Sequence, residues 1–338
     1  MDYVSLGKTG LRVSQLALGT MSFGGEADES ASRALFQRAR EAGINFFDCA
    51  DVYWEGRSEE VLGRLIADCR EEVVITSKGY FPTGGDVNAR GSTRYHLVRT
   101  VEASLRRLGT DRIDVYYVHR WDDRTDLEDT LRTLELLVQQ GKILYPACSN
   151  FAAWQTARAV GMADARGWTP MACVQPMYNL IKRQAEVEIL PMAGALGLGV
   201  CTYSPLGGGL LSGKYGPDRR PDQGRIVDNQ MYATRYGAVS NFDIAGAFTA
   251  LAQKYGHHPA SLAVAWVASH PHVTCPILGA RDVAQLEPSL AAVDFDMTDE
   301  LRAEVSALSP EPPPATDRNE EASTHSYSST LRSRQGQK

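Results

Sequence analysis

Gly43-Ile44-Asn45-Phe46-Phe47-Asp48-Cys49-Ala50-Asp51-Val52-Tyr53 contains the unit from which the rest of the chain is built. The run Asn45–Asp48 is too short for a helix and reads as a strand buried on both faces. It ends on an acid, and a tyrosine follows five residues on. Seven more short apolar runs recur: Leu16–Gly19, Val73–Thr76, Ile113–Val118, Ile143–Cys148, Ala172–Gln175, Gly199–Tyr203 and Val273–Leu278. Apolar stripes at helical spacing lie between them, including Leu97, Val101, Leu105 and Leu108, and then Leu127, Leu131, Leu134 and Val138. Val283, Leu286, Leu290 and Val293 form another, with Asp282 as a candidate N-cap and Gln285 as its box partner. Eight strand–helix repeats predict a (β/α)8 TIM barrel, an α/β fold, rather than an open doubly wound sheet. No GxGxxG follows the first run, so a Rossmann site has no support.

Outside this alternation, Tyr3–Leu6 and Leu11–Ser14 flank Gly7-Lys8-Thr9-Gly10 and read as an N-terminal β-hairpin. Ser204 to Ser240, after the seventh run, is a long glycine-rich connection where barrels often bind phosphate. Residues 1–308 read as one barrel. Residues 309–338, rich in Pro, Ser, Arg and Glu, read as a disordered tail.

The 338 residues carry a net charge of −6, which argues against nucleic acid as a partner. No apolar stretch is long enough to span a membrane and no signal pattern opens the chain, so a cytosolic protein is expected. The six cysteines have no CxxC spacing and read as reduced, buried thiols; no metal is expected.

The catalytic face of such a barrel collects the C-terminal strand ends. They carry Asp48 and Tyr53, then Lys78, His119, Ser149-Asn150, Gln175, Tyr203-Ser204 and Gly279-Ala280-Arg281. Each alone has a structural explanation, but four ionisable types at three successive junctions point jointly to chemistry. The segments around them, with Ser58-Glu59-Glu60-Val61-Leu62-Gly63, Tyr203-Ser204-Pro205-Leu206 and Pro276–Arg281, resemble the aldo-keto reductase family from about residue 2 to 308.

That resemblance implies a nicotinamide-dependent carbonyl reductase with a tetrad of Asp48, Tyr53, Lys78 and His119. Tyr53 would be the proton donor, its phenol acidified by Lys78, with Asp48 holding the lysine and His119 orienting the carbonyl oxygen. It also implies a set of cofactor contacts. Gly19, Thr20 and Met21 come first, and Ser149, Asn150 and Gln175 meet the carboxamide. Tyr203 stacks on the nicotinamide. Leu206, Gly208 and the glycine-rich loop that follows match the pyrophosphate strap, and Arg281 and Gln285 the adenosine end; Ser204, Pro205, Leu210, Lys214, Arg225, Ile277, Gly279 and Ser289 complete the expected cofactor contacts. NADP(H) is the preferred cofactor, with NAD(H) possible because Asp282 lies beside Arg281 and an acid there repels a 2′-phosphate. Ser289 stands where the family commonly has Asn, and Leu144, Pro146 and Ala147 replace Arg, Ile and Gly. Pocket candidates are Met21, Phe23, Trp54, Tyr80, Phe81, Arg120 and Trp121, with the insert 81–92 as a lid. The substrate is expected to be a small carbonyl or alcohol; the oligomeric state is not legible. Two other readings stand beside this one: a nucleotide-binding redox-sensing subunit, as potassium-channel β subunits resemble the family too, and a Schiff-base aldolase using Lys78.

Overall fold

The computed structural model describes residues 1–317. Strands β1 (Tyr3–Ser5) and β2 (Arg12–Ser14) form the antiparallel hairpin. Eight parallel strands then close a barrel: β3 (Ala17–Gly19), β4 (Phe46–Asp48), β5 (Val74–Gly79), β6 (Ile113–Val118), β7 (Ile143–Ser149), β8 (Cys173–Gln175), β9 (Gly199–Thr202) and β10 (Cys275–Leu278). All eight expected strands are present, and β10 pairs with both β9 and β3 to complete the ring. The helical stripes become helices 94–108, 127–139 and 283–290. Gly109 and Gly141 follow the first two in the left-handed conformation, which a glycine adopts without strain.

Two apolar compartments follow from the alternation of strand side chains. Side chains pointing out of the barrel pack against the helices in the main core. Those pointing in form a smaller cluster that includes Phe46, Val115, Tyr117, Cys173, Cys201 and Cys275. Leu6 and Val13 of the hairpin segment are fully buried in that same cluster, so the hairpin plugs one end of the barrel. Its turn presses against the start of β9: a Cβ on Gly7, whose φ is +55°, would lie 2.5 Å from the Gly199 nitrogen. The active face is left at the other end.

The connection 204–240 is more ordered than its glycine content implies. It contains a 3-10 turn (Gly207–Ser212) and two short helices (Arg225–Asp228, Gln230–Tyr236). Leu210, Tyr215, Ile226, Tyr232 and Tyr236 give it a core of its own, shared with Phe242 and Ala245. Most of the expected tail, 318–338, lies outside the described residues. At its start, Ser309 is buried and its carbonyl accepts from Arg183 Nη1 at 3.4 Å. The described cysteines are all free and five are buried. Among the described residues no helix is long and apolar enough to cross a membrane.

Helix 57–66 lies close against the end of helix 94–108 at Gly63, where a Cβ would sit 2.6 Å from the Leu108 carbonyl oxygen. Backbone cannot yield there as a side-chain tip can. Gly63→Ala is therefore expected to destabilise the fold by about 1–3 kcal/mol, measured by urea unfolding. An unchanged midpoint would show that the two helices are free to separate.

Candidate active site

Lys78 is the last residue but one of β5, and its side chain has no exposure to solvent. Its ammonium donates to Asp48 Oδ2 at 2.7 Å and to the Cys49 carbonyl at 2.7 Å, and it reaches the Tyr53 hydroxyl at 3.4 Å. Asp48, at the end of β4, is itself held: Thr76 Oγ1 and Gln175 Nε2 each donate to Oδ1 at 2.8 Å. Every oxygen of this carboxylate therefore has a partner, as a buried charge requires. Tyr53 opens a tight turn in which Trp54 and Glu55 both have positive φ, 51° and 59°. Non-glycine residues in this region cost on the order of 1 kcal/mol each and collect where function constrains the backbone. Asn150 (56°) and Ser204 (60°), at the ends of β7 and β9, share the conformation.

These contacts decide the proton affinities. Burial alone would lower the Lys78 pKa, but Asp48 and Tyr53 together more than offset it and the ammonium is held firmly. Burial pushes the Tyr53 phenol up to about 12, although Lys78 pulls the other way. The expectation of an acidified phenol is thus corrected: Lys78 limits the rise without reversing it, because desolvation outweighs one ammonium at 3.4 Å. Burial, reinforced by the Lys78 charge, pushes His119 down to about 3, so its imidazole is neutral at pH 7. The His119 ring meets that of Tyr53 edge-on at 6.4 Å. Its Nδ1 is sealed and unpaired, leaving Nε2 as the nitrogen that can meet a ligand.

The amide group beside the tetrad is pre-ordered. Asn150 Nδ2 donates to the His119 carbonyl and to Ser149 Oγ, both at 3.0 Å, while its Oδ1 accepts from Tyr203 OH at 2.7 Å. Ser149 Oγ donates to the Gln175 carbonyl at 3.0 Å. Gln175 commits one of its two amide N–H groups to Asp48, which leaves the other and the side-chain carbonyl for a further partner.

Comparison with known proteins follows the same lines. The aldo/keto reductase family pattern matches residues 15–310. An oxidoreductase of Bacillus subtilis (strain 168), YrpG, described as uncharacterized, is 36% identical over 92% of this chain and 97% of its own. Probable voltage-gated potassium channel β subunits of Oryza sativa subsp. japonica and Arabidopsis thaliana are each 36% identical over 87% of this chain and 92% of theirs. The chain belongs to the aldo/keto reductase family. Membership brings nicotinamide-dependent oxidoreductase chemistry at the level of the family.

The residues expected to hold a dinucleotide in this aldo/keto reductase separate into three groups. Some are structural. Thr20 is fully buried and donates through N (2.8 Å) and Oγ1 (3.1 Å) to the Asp48 carbonyl; Leu210, Ile277 and Ser289 are also buried. Others are committed to neighbours. Arg225 Nη2 pairs with Glu26 at 3.4 Å and its guanidinium lies over Tyr232, and Gln285 Oε1 accepts from Arg281 N at 3.3 Å instead of closing a capping box. Asp282 does cap its helix, accepting from Gln285 N at 2.8 Å. The third group is available. Arg281 and Lys214 have no ion pair among the described residues. Gly208, at φ 68°, leaves room that a Cβ would fill, 2.9 Å from the Tyr232 ring. Unpaired cations and a glycine turn suit a phosphate-bearing ligand. Met21, Leu206 and Gly279 remain at least partly accessible along the same rim, with Gly19, Ser204 and Pro205 beside them in the chain.

The pocket candidates also divide. Phe81 meets His119 edge-on at 4.9 Å and so stands at the tetrad, while Tyr80 packs edge-on against Phe81 at 5.3 Å. Exposed Trp54 donates to the Met21 carbonyl at 2.9 Å, and Arg120 is exposed. Phe23 is a correction: it is fully buried in the main core and could support a pocket only from behind. Trp121 packs on Phe151 and Trp154 and donates to Asp123 Oδ1. Thr76, Glu26 and the second role of Gln175 escaped sequence reading, because no local signal marks a partner from a distant strand.

Asp48→Asn removes the charge that balances a fully buried ammonium. It is expected to cost about 3–5 kcal/mol of stability, read from chemical denaturation at pH 7. A loss below 1 kcal/mol would mean that Lys78 finds another counter-charge.

Proposed function

We propose that this protein reduces aldehyde or ketone carbonyls of small molecules to alcohols, with NADP(H) preferred over NAD(H) and Tyr53 as the proton donor. The observation that carries the reading is the Tyr53 hydroxyl 3.4 Å from an ammonium that is itself clamped by Asp48, beside a neutral histidine. The bound dihydronicotinamide supplies the hydride. As negative charge grows on the carbonyl oxygen, Tyr53 gives up its proton to it and Lys78 steadies the phenolate left behind. His119, uncharged, orients the oxygen through Nε2 without competing for its charge. An alkoxide binds a proton about as tightly as hydroxide, whose conjugate acid has a pKa of about 15.7. Transfer from a phenol at about 12 is therefore downhill. The same phenol is a reluctant base near neutrality, which favours reduction over alcohol oxidation. Phe81 and Tyr80 supply an apolar wall beside the reacting carbon.

Arg281, without an ion pair among the described residues, suits a 2′-phosphate, while the Asp282 carboxylate is occupied at its helix N-terminus. A second reading, a nucleotide-binding subunit with little turnover, draws on the resemblance to the channel β subunits of rice and Arabidopsis. A panel of aldehydes and ketones with NADPH separates the two: turnover supports the reductase, and tight cofactor binding without turnover supports the subunit.

Tyr53→Phe is expected to lower kcat at least about 100-fold while leaving cofactor affinity nearly unchanged, as followed by nicotinamide absorbance and fluorescence. Wild-type turnover in that variant would place the donor elsewhere. Arg281→Ala should weaken NADPH more than NADH in the same titration; equal losses would show that this guanidinium does not read the 2′-phosphate.

A further inference from the structure

Behind the turn that carries Tyr53 lies a second buried polar cluster, which the chemistry above does not use. Asp51 is 2% exposed, and neither carboxylate oxygen has a hydrogen-bond partner. The Tyr116 hydroxyl, from β6, is sealed and unpaired in the same way. It occupies space that exists only because Gly79 has no side chain, since a Cβ there would strike it. Such orphaned groups are costly, and a fold retains them where another requirement prevails.

The charges around Asp51 are already matched. Lys78 pairs with Asp48 at 2.7 Å. Arg107 pairs with Glu59 at 2.6 Å, and Glu59 also accepts from Ser77 Oγ at 2.5 Å. Asp51 is the third carboxyl group beside two cations. The groups that face it are Glu59 from helix 57–66, Arg107 from helix 94–108, Lys78 from β5 and Tyr116 from β6. Burial pushes its carboxyl well above the usual range and Glu59 adds to this; the Arg107 and Lys78 charges offset only part. The main chain of Asp51 belongs to the site, because its N–H donates to the Lys78 carbonyl at 3.2 Å.

We propose that Asp51 is a positioning residue that works as a neutral acid, packing the Tyr53 turn against β5 and β6 without placing a second anion beside the Lys78–Tyr53 pair. A protonated Asp51 also adds an O–H donor to a cluster whose Tyr116 oxygen lacks a partner. Ionised, it would draw on the Lys78 charge and raise the proton affinity of the Tyr53 phenol further. The role, though not the protonation state, rests on Tyr53 being the proton donor.

The linkage has a definite sign. An acid with a folded pKa above its unfolded value, about 3.9, contributes stability that is complete below that value and is lost as pH rises through the folded pKa. Asp51→Asn abolishes this titration. The melting temperature of the variant minus that of the full-length wild type should therefore widen in the variant's favour from about pH 4 to pH 8. Infrared spectra of the wild type at pH 7 should contain a protonated-carboxyl band that the variant lacks. The alkaline fall of kcat/KM for aldehyde reduction, set in the wild type by ionisation of Asp51, should move up by at least one pH unit in the variant, a shift that a purely structural Asp51 would not produce. A gap that narrows with pH, the absence of the acid band, or superimposed alkaline limbs would each overturn the proposal. If the variant does not fold, the wild-type acid band decides: persistence through pH 7 supports it, and loss below pH 6 overturns it. A protein with no turnover fails the reductase reading while the thermal and infrared arms still judge the state of Asp51.

Discussion

A lysine ammonium with no access to water sits at the open end of the barrel, and the residues around it are arranged to make that charge tolerable. Removing such an ion from solvent costs several kcal/mol unless its partners replace the lost hydration. Asp48 supplies the opposite charge, and Thr76 and Gln175 keep Asp48 from turning away. The Cys49 carbonyl takes a second ammonium proton. What remains of the lysine's hydrogen-bonding capacity points at Tyr53. The charge is thus both a structural burden and the feature that makes one tyrosine different from the other thirteen in the chain.

The same low-polarity surroundings set the character of the neighbouring groups. Burial, with Lys78 nearby, denies His119 a second proton, so it meets a ligand as a neutral donor. The phenol keeps its proton up to about 12, and the ammonium acts chiefly on the phenolate that forms once the proton has left. This is stabilisation of a developing charge, present before the reaction and needing no rearrangement during it. The backbone contributes as well: the left-handed residues at Trp54, Glu55, Asn150 and Ser204 are held at the rim by contacts such as Trp54 to Met21 and Asn150 to Tyr203.

Much of the fold was legible because its signals are local. A strand buried on both faces must be a short apolar run, and a helix lying on it must be striped, so the eight repeats could be read one at a time. The tetrad was legible for a related reason: its members lie at or past the C-terminal ends of three successive strands, a parallel barrel brings all such ends to one face, and the family resemblance singled out these four. The long connection was less legible. Its glycines point to a loop, while the tyrosines that give it a core, Tyr215, Tyr232 and Tyr236, are scattered among charged residues without a period.

From the order of residues alone came the barrel, its hairpin, the face that carries the chemistry and the membership of Asp48, Tyr53, Lys78 and His119 in one site. These depend on periodicity and on position within a repeat, which the chain carries in linear form. Only the tertiary structure decided which groups are dry and whom they meet. It showed that burial overcomes Lys78 at the Tyr53 phenol, that Gln175 braces Asp48, that Phe23 is core, and that Asp51 lies buried without a partner. Gln175 and Asp48 meet although they stand 127 positions apart in the chain. No local pattern encodes that proximity, and proton affinity follows from it.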